Sequence, residues 1–363
     1  MMSETRNEAK DRSGKNLVSA ARLINENGYK ERMITIFTQW EVILGFLLLL
    51  VFLFFMNITP YFLDGFNLLN TTFTFTEKAI MALPMMFIIM SGDIDISVAS
   101  IIALCSFAMG YASSMGADTV TLVLVGLAVG LAAGLFNGFF ITKVGMPSIA
   151  VTLATQSIFR GIPQAILGDR AYTKYPASFA YFGQGYVGSG SLIPFSLVFF
   201  LVLAAVMGFV LHKTRYGRKV YAIGNAKEAA RFCGVKVNRI RFINFALMGL
   251  FSGIAAVLLT SRIGSTRPNI ALGYDMEVIT LVVLGGVSIA GGKGNLFGVL
   301  MAVFLVGYLK YGMGLVNLSA KAMIITTGTL LIVAVLLPGF LNTAKAWRKL
   351  RQQQRAHPDA ANS

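Results

Sequence analysis

The stretch MMFIIMSGDIDISVASIIAL, residues 85–104, sets two carboxylates, Asp93 and Asp95, between two runs apolar enough to lie in hydrocarbon. Its centre, Ser91-Gly-Asp-Ile-Asp-Ile-Ser97, reads as a break between two helices. Gly92 permits dihedrals closed to other residues, and Ser97 has the side chain of an N-cap for a helix beginning at Val98. Asp95 then sits near the positive end of that helix dipole, where a carboxylate is favoured. Two readings stay open: a turn and cap, or an ion path of the kind that intramembrane acids often mark. The adjoining spans offer no obvious Lys, Arg or His partner for either acid.

The composition supports a membrane setting. Of 363 residues, 56% are hydrophobic and 13% charged, against about 25% charged in an ordinary soluble domain. The net charge of +15 raises the question of nucleic acid, which the placement of the charges answers. Seven Lys and Arg precede Trp40, nine lie between Lys213 and Arg241, and five follow Leu341, leaving ten for the apolar remainder. Basic clusters flanking apolar runs form the positive-inside pattern of a membrane protein rather than a nucleic-acid stripe. The two cysteines, Cys105 in an apolar run and Cys233 in a basic loop, suit neither a disulfide nor a metal site.

A helix needs about 20 apolar residues to cross some 30 Å of hydrocarbon. The clearest runs are 40–58, 119–141, 195–212, 242–261 and 321–341; less even ones lie at 77–90, 96–115, 147–167, 277–290 and 296–315. The expectation is an all-α polytopic bundle of about ten transmembrane helices, with 77–90 and 277–290 short for a full crossing. The domains expected are a cytoplasmic segment 1–39, too polar for a cleavable signal, a transmembrane domain 40–341 and a cytoplasmic tail 342–363. Six spans then precede the cytoplasmic loop 213–241 and four follow it, both even numbers, as two cytoplasmic termini require. Gly126, Gly130, Gly134 and Gly138, at spacing four, share one helix face that admits a neighbouring backbone. Pro84 and Pro163 lie inside apolar runs, where each removes a backbone donor.

A second break is expected at LGGVSIAGGKGN, residues 284–295. It lacks phosphate-loop spacing, because Val287 stands at the first glycine and Gly294 at the hydroxyl residue. Gly285, Gly286, Gly291 and Gly292 join Ser91, Gly92, Asp93, Asp95 and Ser97 as pathway or gate candidates, since broken helices often line transport pathways. In the basic loop, Asn225 is expected to cap a short helix running through Arg231–Phe232 and ending at Gly234. Arg160, inside the fifth span, reads either as a pathway residue or as an ion pair or headgroup contact. The aromatic stretch 171–186 reads as an interfacial belt or a docking segment.

Glu228-Ala-Ala-x3-Gly234 in a cytoplasmic loop is similar to the coupling motif of ABC importer permeases, without the Leu-Pro that ends the longer motif; Arg239–Phe245 stand there instead. Together with Ser91–Ser97, Thr214-Arg-Tyr-Gly-Arg-Lys-Val-Tyr-Ala-Ile-Gly-Asn225 and Leu284–Gly294, it makes the chain resemble, from about Trp40 to Leu341, the permeases of ribose-type sugar ABC importers, including those for rhamnose and autoinducer-2. That family usually has Gly-Gly-Ile-Asp where this chain has Gly92-Asp-Ile-Asp95, which makes Asp95 the better carry-over.

The resemblance implies an all-helical bacterial inner-membrane subunit that moves a monosaccharide or related polyol-like solute and has no cofactor or catalytic site of its own. ATP is bound by a partner subunit, which docks on Asn225, Glu228, Ala229, Ala230 and Gly234. The other implied partners are a second permease copy or paralogue, an extracytoplasmic sugar-binding protein meeting 64–76, 169–194 and 262–275, and membrane lipid. The rival reading is an ion-coupled secondary transporter using Asp93 and Asp95. An intramembrane enzyme finds little support, because His212 lies at a span boundary and His357 in the polar tail.

Overall fold

The computed structural model describes residues 40–188, 190–330, 332, 333 and 336. The expected cytoplasmic segments 1–39 and 342–363 lie outside these. The described residues form an all-helical bundle, and every apolar run that falls among them contributes a helix, the run 277–290 only as far as Leu284. The α-helices of six residues or more are α1 (Trp40–Ile58), α2 (Gly65–Thr71), α3 (Thr76–Met90), α4 (Val98–Ser114), α5 (Thr119–Phe139, prolonged by a π turn Phe140–Val144) and α6 (Ser148–Leu167). They continue with α7 (Phe195–Lys213), α8 (Arg215–Asn225), α9 (Lys227–Phe232), α10 (Val237–Ile263), α11 (Tyr274–Leu284) and α12 (Leu296–Leu315), followed by helical residues 320–330.

Five of these are long and apolar enough to cross a membrane, and a sixth span arises if the pair Gly65–Thr74 and Thr76–Met90, bent by 55°, counts as one. The two spans expected to be short are short: at 1.5 Å per residue, α3 reaches about 22 Å and α11 about 16 Å. Each is followed by the irregular segment that the glycines of the sequence announce.

Burial follows the distribution of apolar residues around each helix. From Ala79 to Met90, α3 is apolar on every side and wholly buried, as a helix with no polar face must be. Pro84 is accommodated inside it. By contrast α1 keeps Phe46, Leu49 and Phe54 exposed, the expected condition of a lipid-facing helix. The glycine stripe of α5 meets α10. A Cβ on Gly130 would stand 2.5 Å from the Gly249 carbonyl oxygen and 2.9 Å from Gly253 Cα, so only glycine allows this backbone-to-backbone approach.

The helices have two distinct ends. At the basic end lie the start of α10, helices α8 and α9 and both irregular breaks. At the opposite end, Glu77 accepts from Arg262 at 2.7 Å, and Glu277 bridges Lys78 at 2.7 Å and Lys310 at 2.8 Å. These two clusters tie the starts of α3 and α11 to the end of α10 and to α12.

Candidate functional site

The first break is held by side chains of α10 and α5. Asp93 is gripped by Arg241 of α10 in a two-pronged pair, Nε to Oδ2 and Nη2 to Oδ1, both 2.6 Å. The partner that the adjoining spans lack thus comes from a segment 148 residues away. Arg241 lies one turn into α10, about 6 Å from its start. One turn further, Asn244 donates to Ser91 Oγ at 2.7 Å and accepts from the Tyr216 hydroxyl of α8 at 2.6 Å.

Asp95 and Ser97 behave differently from the cap expected. Ser97 occupies the N-cap position of α4, but its hydroxyl donates to Asp95 Oδ1 at 2.6 Å instead of capping. Asp95 Oδ1 also accepts the Ser97 amide at 2.9 Å, so the aspartate organises this helix start. Asn137 of α5 donates to Ser97 Oγ at 2.8 Å. Asp95 Oδ2 and Asn137 Oδ1 are buried without a partner among the described residues.

The second break comes to the first. Gly292 N donates to Met90 O at 2.9 Å, joining residue 292 to the last residue of α3. Gly224, the penultimate residue of α8, has its Cα against Gly291 and Met90. Asn225 corrects the sequence reading: it ends α8, and Ala226 holds the N-cap position of α9 without a side-chain cap. The Asn225 amide donates instead to Gly292 O at 3.2 Å and to Tyr221 O at 2.9 Å, while the Tyr221 hydroxyl donates to Gly294 O at 2.8 Å. Gly285 and Gly286 lie at the other side of the second break, packed against Val299 and the Trp40 ring, whose indole N–H donates to Leu284 O at 2.6 Å.

Helix α9 carries the remaining basic-loop candidates. Ala230 is buried, while Ala229 is exposed and Glu228 pairs with Arg231 at 3.0 Å in the open. Gly234 ends the helix with φ +78°, and the Val235 amide returns to Ala230 O at 3.0 Å. Phe232 stands 92% exposed. Burial, then repulsion from Arg241, lowers the Lys227 ammonium below its ordinary range, with Asp93 acting in the opposite sense.

Arg160 binds backbone carbonyls. Its Nη1 donates to Pro268 O at 3.0 Å and Ile270 O at 2.6 Å, and its Nη2 to Ala99 O at 3.0 Å. The aromatic stretch is tied into the opposite end, with Tyr175 bonded to Thr266 at 2.7 Å and Tyr186 to Asn70 at 2.8 Å. Sequence reasoning missed Arg241 and Asn244. Their only signal was polarity at spacing three at the start of an apolar run.

An all-helical bundle with two broken spans, both gripped by a basic-end helix pair, defines a membrane transport permease. The family model described as "Branched-chain amino acid transport system / permease component" matches residues 67–337. The ribose import permease protein RbsC of Bacillus subtilis is 35% identical over 296 residues, 81% of this chain and 90% of that protein. The autoinducer 2 import system permease protein LsrD is 35% identical over 304 residues in Salmonella paratyphi B, covering 82% and 90%. The LsrD of Escherichia coli O9:H4 is 36% identical over 302 residues, covering 82% and 91%. No solved structure matches. The chain belongs to this family of transport-system permease components.

Proposed function

We propose that this chain is the membrane-spanning subunit of an ATP-driven importer for a monosaccharide or related polyol-like solute, of the class to which ribose and rhamnose belong. Membership of the permease family and likeness to ribose and autoinducer-2 import permeases support this reading. The single observation that carries the mechanism is the chain of contacts from α8 to both breaks: Asn225 to Gly292, Gly292 to Met90, Tyr221 to Gly294, and Tyr216 through Asn244 to Ser91. A displacement imposed on α9 passes to α8 and from there to both irregular segments, which lack the helical hydrogen bonds that would resist it.

In this reading the basic end faces the cytoplasm of a bacterial inner membrane, with both termini on that side. An ATP-binding subunit docks on Lys227–Phe232 and supplies the nucleotide, so the chain needs no cofactor. A second permease copy or paralogue completes the path, and a sugar-binding protein meets the opposite end. The breaks at 91–97 and 285–294 gate the path. The likeness to ribose and autoinducer-2 import permeases does not favour the ion-coupled alternative, and of its two carboxylates Asp93 has both oxygens engaged by Arg241.

The test is uptake by the reconstituted importer with Glu228 and Gly234 both replaced by alanine. Uptake is expected to vanish and ATP hydrolysis to become independent of solute, while membrane insertion persists. Transport at the wild-type rate would sink the assignment. Uptake that proceeds without any ATP-binding subunit and collapses with an uncoupler would favour the ion-coupled alternative.

A further inference from the structure

We propose that the cleft between α6 and the segment entering α11 is where a neutral, hydroxyl-rich solute is held as it crosses. This rests on the importer reading above and names the residues that meet its cargo. The cleft has a volume of about 590 Å³ and is lined by Ala99, Gln156, Ser157, Arg160, Gln164 and Asp275, with the 272–276 segment along one side. That size falls within the roughly 300–1,000 Å³ usual for small-molecule sites.

Gln156, Arg160 and Gln164 follow one another at spacing four and so share a face of α6. The same helix exposes Ile149, Leu153, Ile158, Ile162 and Ile166, as a helix in hydrocarbon or against another apolar surface does. Gln156 lies eight residues into α6, about 12 Å from its start, well inside a helix of about 30 Å. Polar groups at that depth need a polar counterpart.

The hydrogen bonds divide these residues into wall and contact groups. Arg160 is a strut. Its Nη atoms are engaged by the carbonyls of Ala99, Pro268 and Ile270, which pins the first turn of α4 to the 268–270 turn and fixes the width of the cleft. Asp275 Oδ2 accepts from Gln156 Nε2 at 3.1 Å. Asp275 Oδ1, Gln156 Oε1 and the Gln164 amide form no hydrogen bond among the described residues and line the open space. They offer acceptors and donors side by side, the pattern that vicinal hydroxyls complement.

Charge narrows the ligand further. One guanidinium and one carboxylate line the cleft, so an ionic solute would add an uncompensated charge in a region of low dielectric. A neutral polyol exchanges its water hydrogen bonds for those of the amides and Asp275 with no charge to compensate.

The test uses the importer reconstituted with its ATP-binding and solute-binding partners and a panel of labelled neutral monosaccharides, with leucine as the zwitterionic comparison. Wild-type uptake of a monosaccharide and not leucine is expected. No ATP-driven uptake of any probe refutes the importer reading itself, and leucine uptake alone refutes the choice of solute class. Gln156→Leu is expected to lower solute moved per ATP hydrolysed by up to about tenfold, the consequence of one lost hydrogen bond of at most about 1.4 kcal/mol. A merely structural role would reduce uptake and hydrolysis in parallel.

Independently, Gln164→Cys in a Cys233→Ser background is expected to react with a charged, water-soluble thiol reagent and to be protected by the transported sugar, whereas Ile162→Cys is not protected. With sugar uptake established, an unchanged transport-to-hydrolysis ratio in Gln156→Leu, or a Gln164→Cys thiol that reacts equally with and without sugar, overturns the proposal.

Discussion

Removing Arg241 from its pair with Asp93 is the most informative single perturbation of the first break. The two hydrogen bonds are 2.6 Å each, and the side chains are 10% and 6% exposed. Replacing Arg241 with glutamine leaves a buried carboxylate without its counter-charge, a change that costs about 3–5 kcal/mol where it has been measured. At roughly 2 °C per kcal/mol, the lower bound for large domains, the melting temperature should fall by about 6–10 °C. The assay is thermal unfolding of the detergent-purified protein followed by intrinsic fluorescence. The companion Asp93→Asn should cost a similar amount, because it leaves the guanidinium unpaired. The double variant Asp93→Asn/Arg241→Gln should be more stable than the sum of the singles predicts, by at least about 1.5 kcal/mol, since it removes both charges together. Strict additivity, or a loss below about 1 kcal/mol in Arg241→Gln, would falsify the view that this pair holds the break against α10.

Two further outcomes test the bundle and the docking helix. Gly130→Ala forces a methyl group against the Gly249 carbonyl and Gly253 Cα, and should destabilise by about 1–3 kcal/mol in the same unfolding assay, whereas Gly161→Ala, with nothing within 4 Å of the added carbon, should be neutral or slightly stabilising. Phe232→Ala removes a side chain that is 92% exposed, so stability should move by less than about 0.5 kcal/mol; as an aromatic anchor its loss should weaken capture of the ATP-binding subunit by about 2 kcal/mol, roughly thirtyfold in a pull-down titration.

Much of the bundle was legible because lipid imposes a simple rule. A chain in hydrocarbon must satisfy its backbone internally, so long apolar runs become helices whatever their neighbours do. The runs at 40–58, 119–141, 195–212 and 296–315 are helices with nearly those bounds. The glycine stripe of α5 was legible for a related reason. Spacing four puts those residues on one face, and small residues on a face have few uses besides close approach. The breaks at 91–97 and 285–294, and the stop at Gly234, were marked by glycines that take positive φ in the structure.

What these segments touch was not legible. Hydrogen-bond partners across a fold depend on which helices pack side by side, and local spacing carries no such information. Asn225 has the side chain of an N-cap, yet tertiary packing brings Gly292 within its reach and gives it that carbonyl instead. Ser97 likewise does not cap: its backbone is helical rather than extended, and its hydroxyl is held between Asp95 and Asn137. Sequence alone fixed that the chain is a polytopic helical bundle with two interrupted spans and a basic end, because apolar length, glycine and charge act locally. Only the tertiary structure decided that Arg241 neutralises Asp93, that the two interruptions meet at Met90 and Gly292, and that Gln156, Gln164 and Asp275 share one cleft. Those pairings join residues more than 100 positions apart, and the close packing of α3, α10 and their neighbours is what selects them.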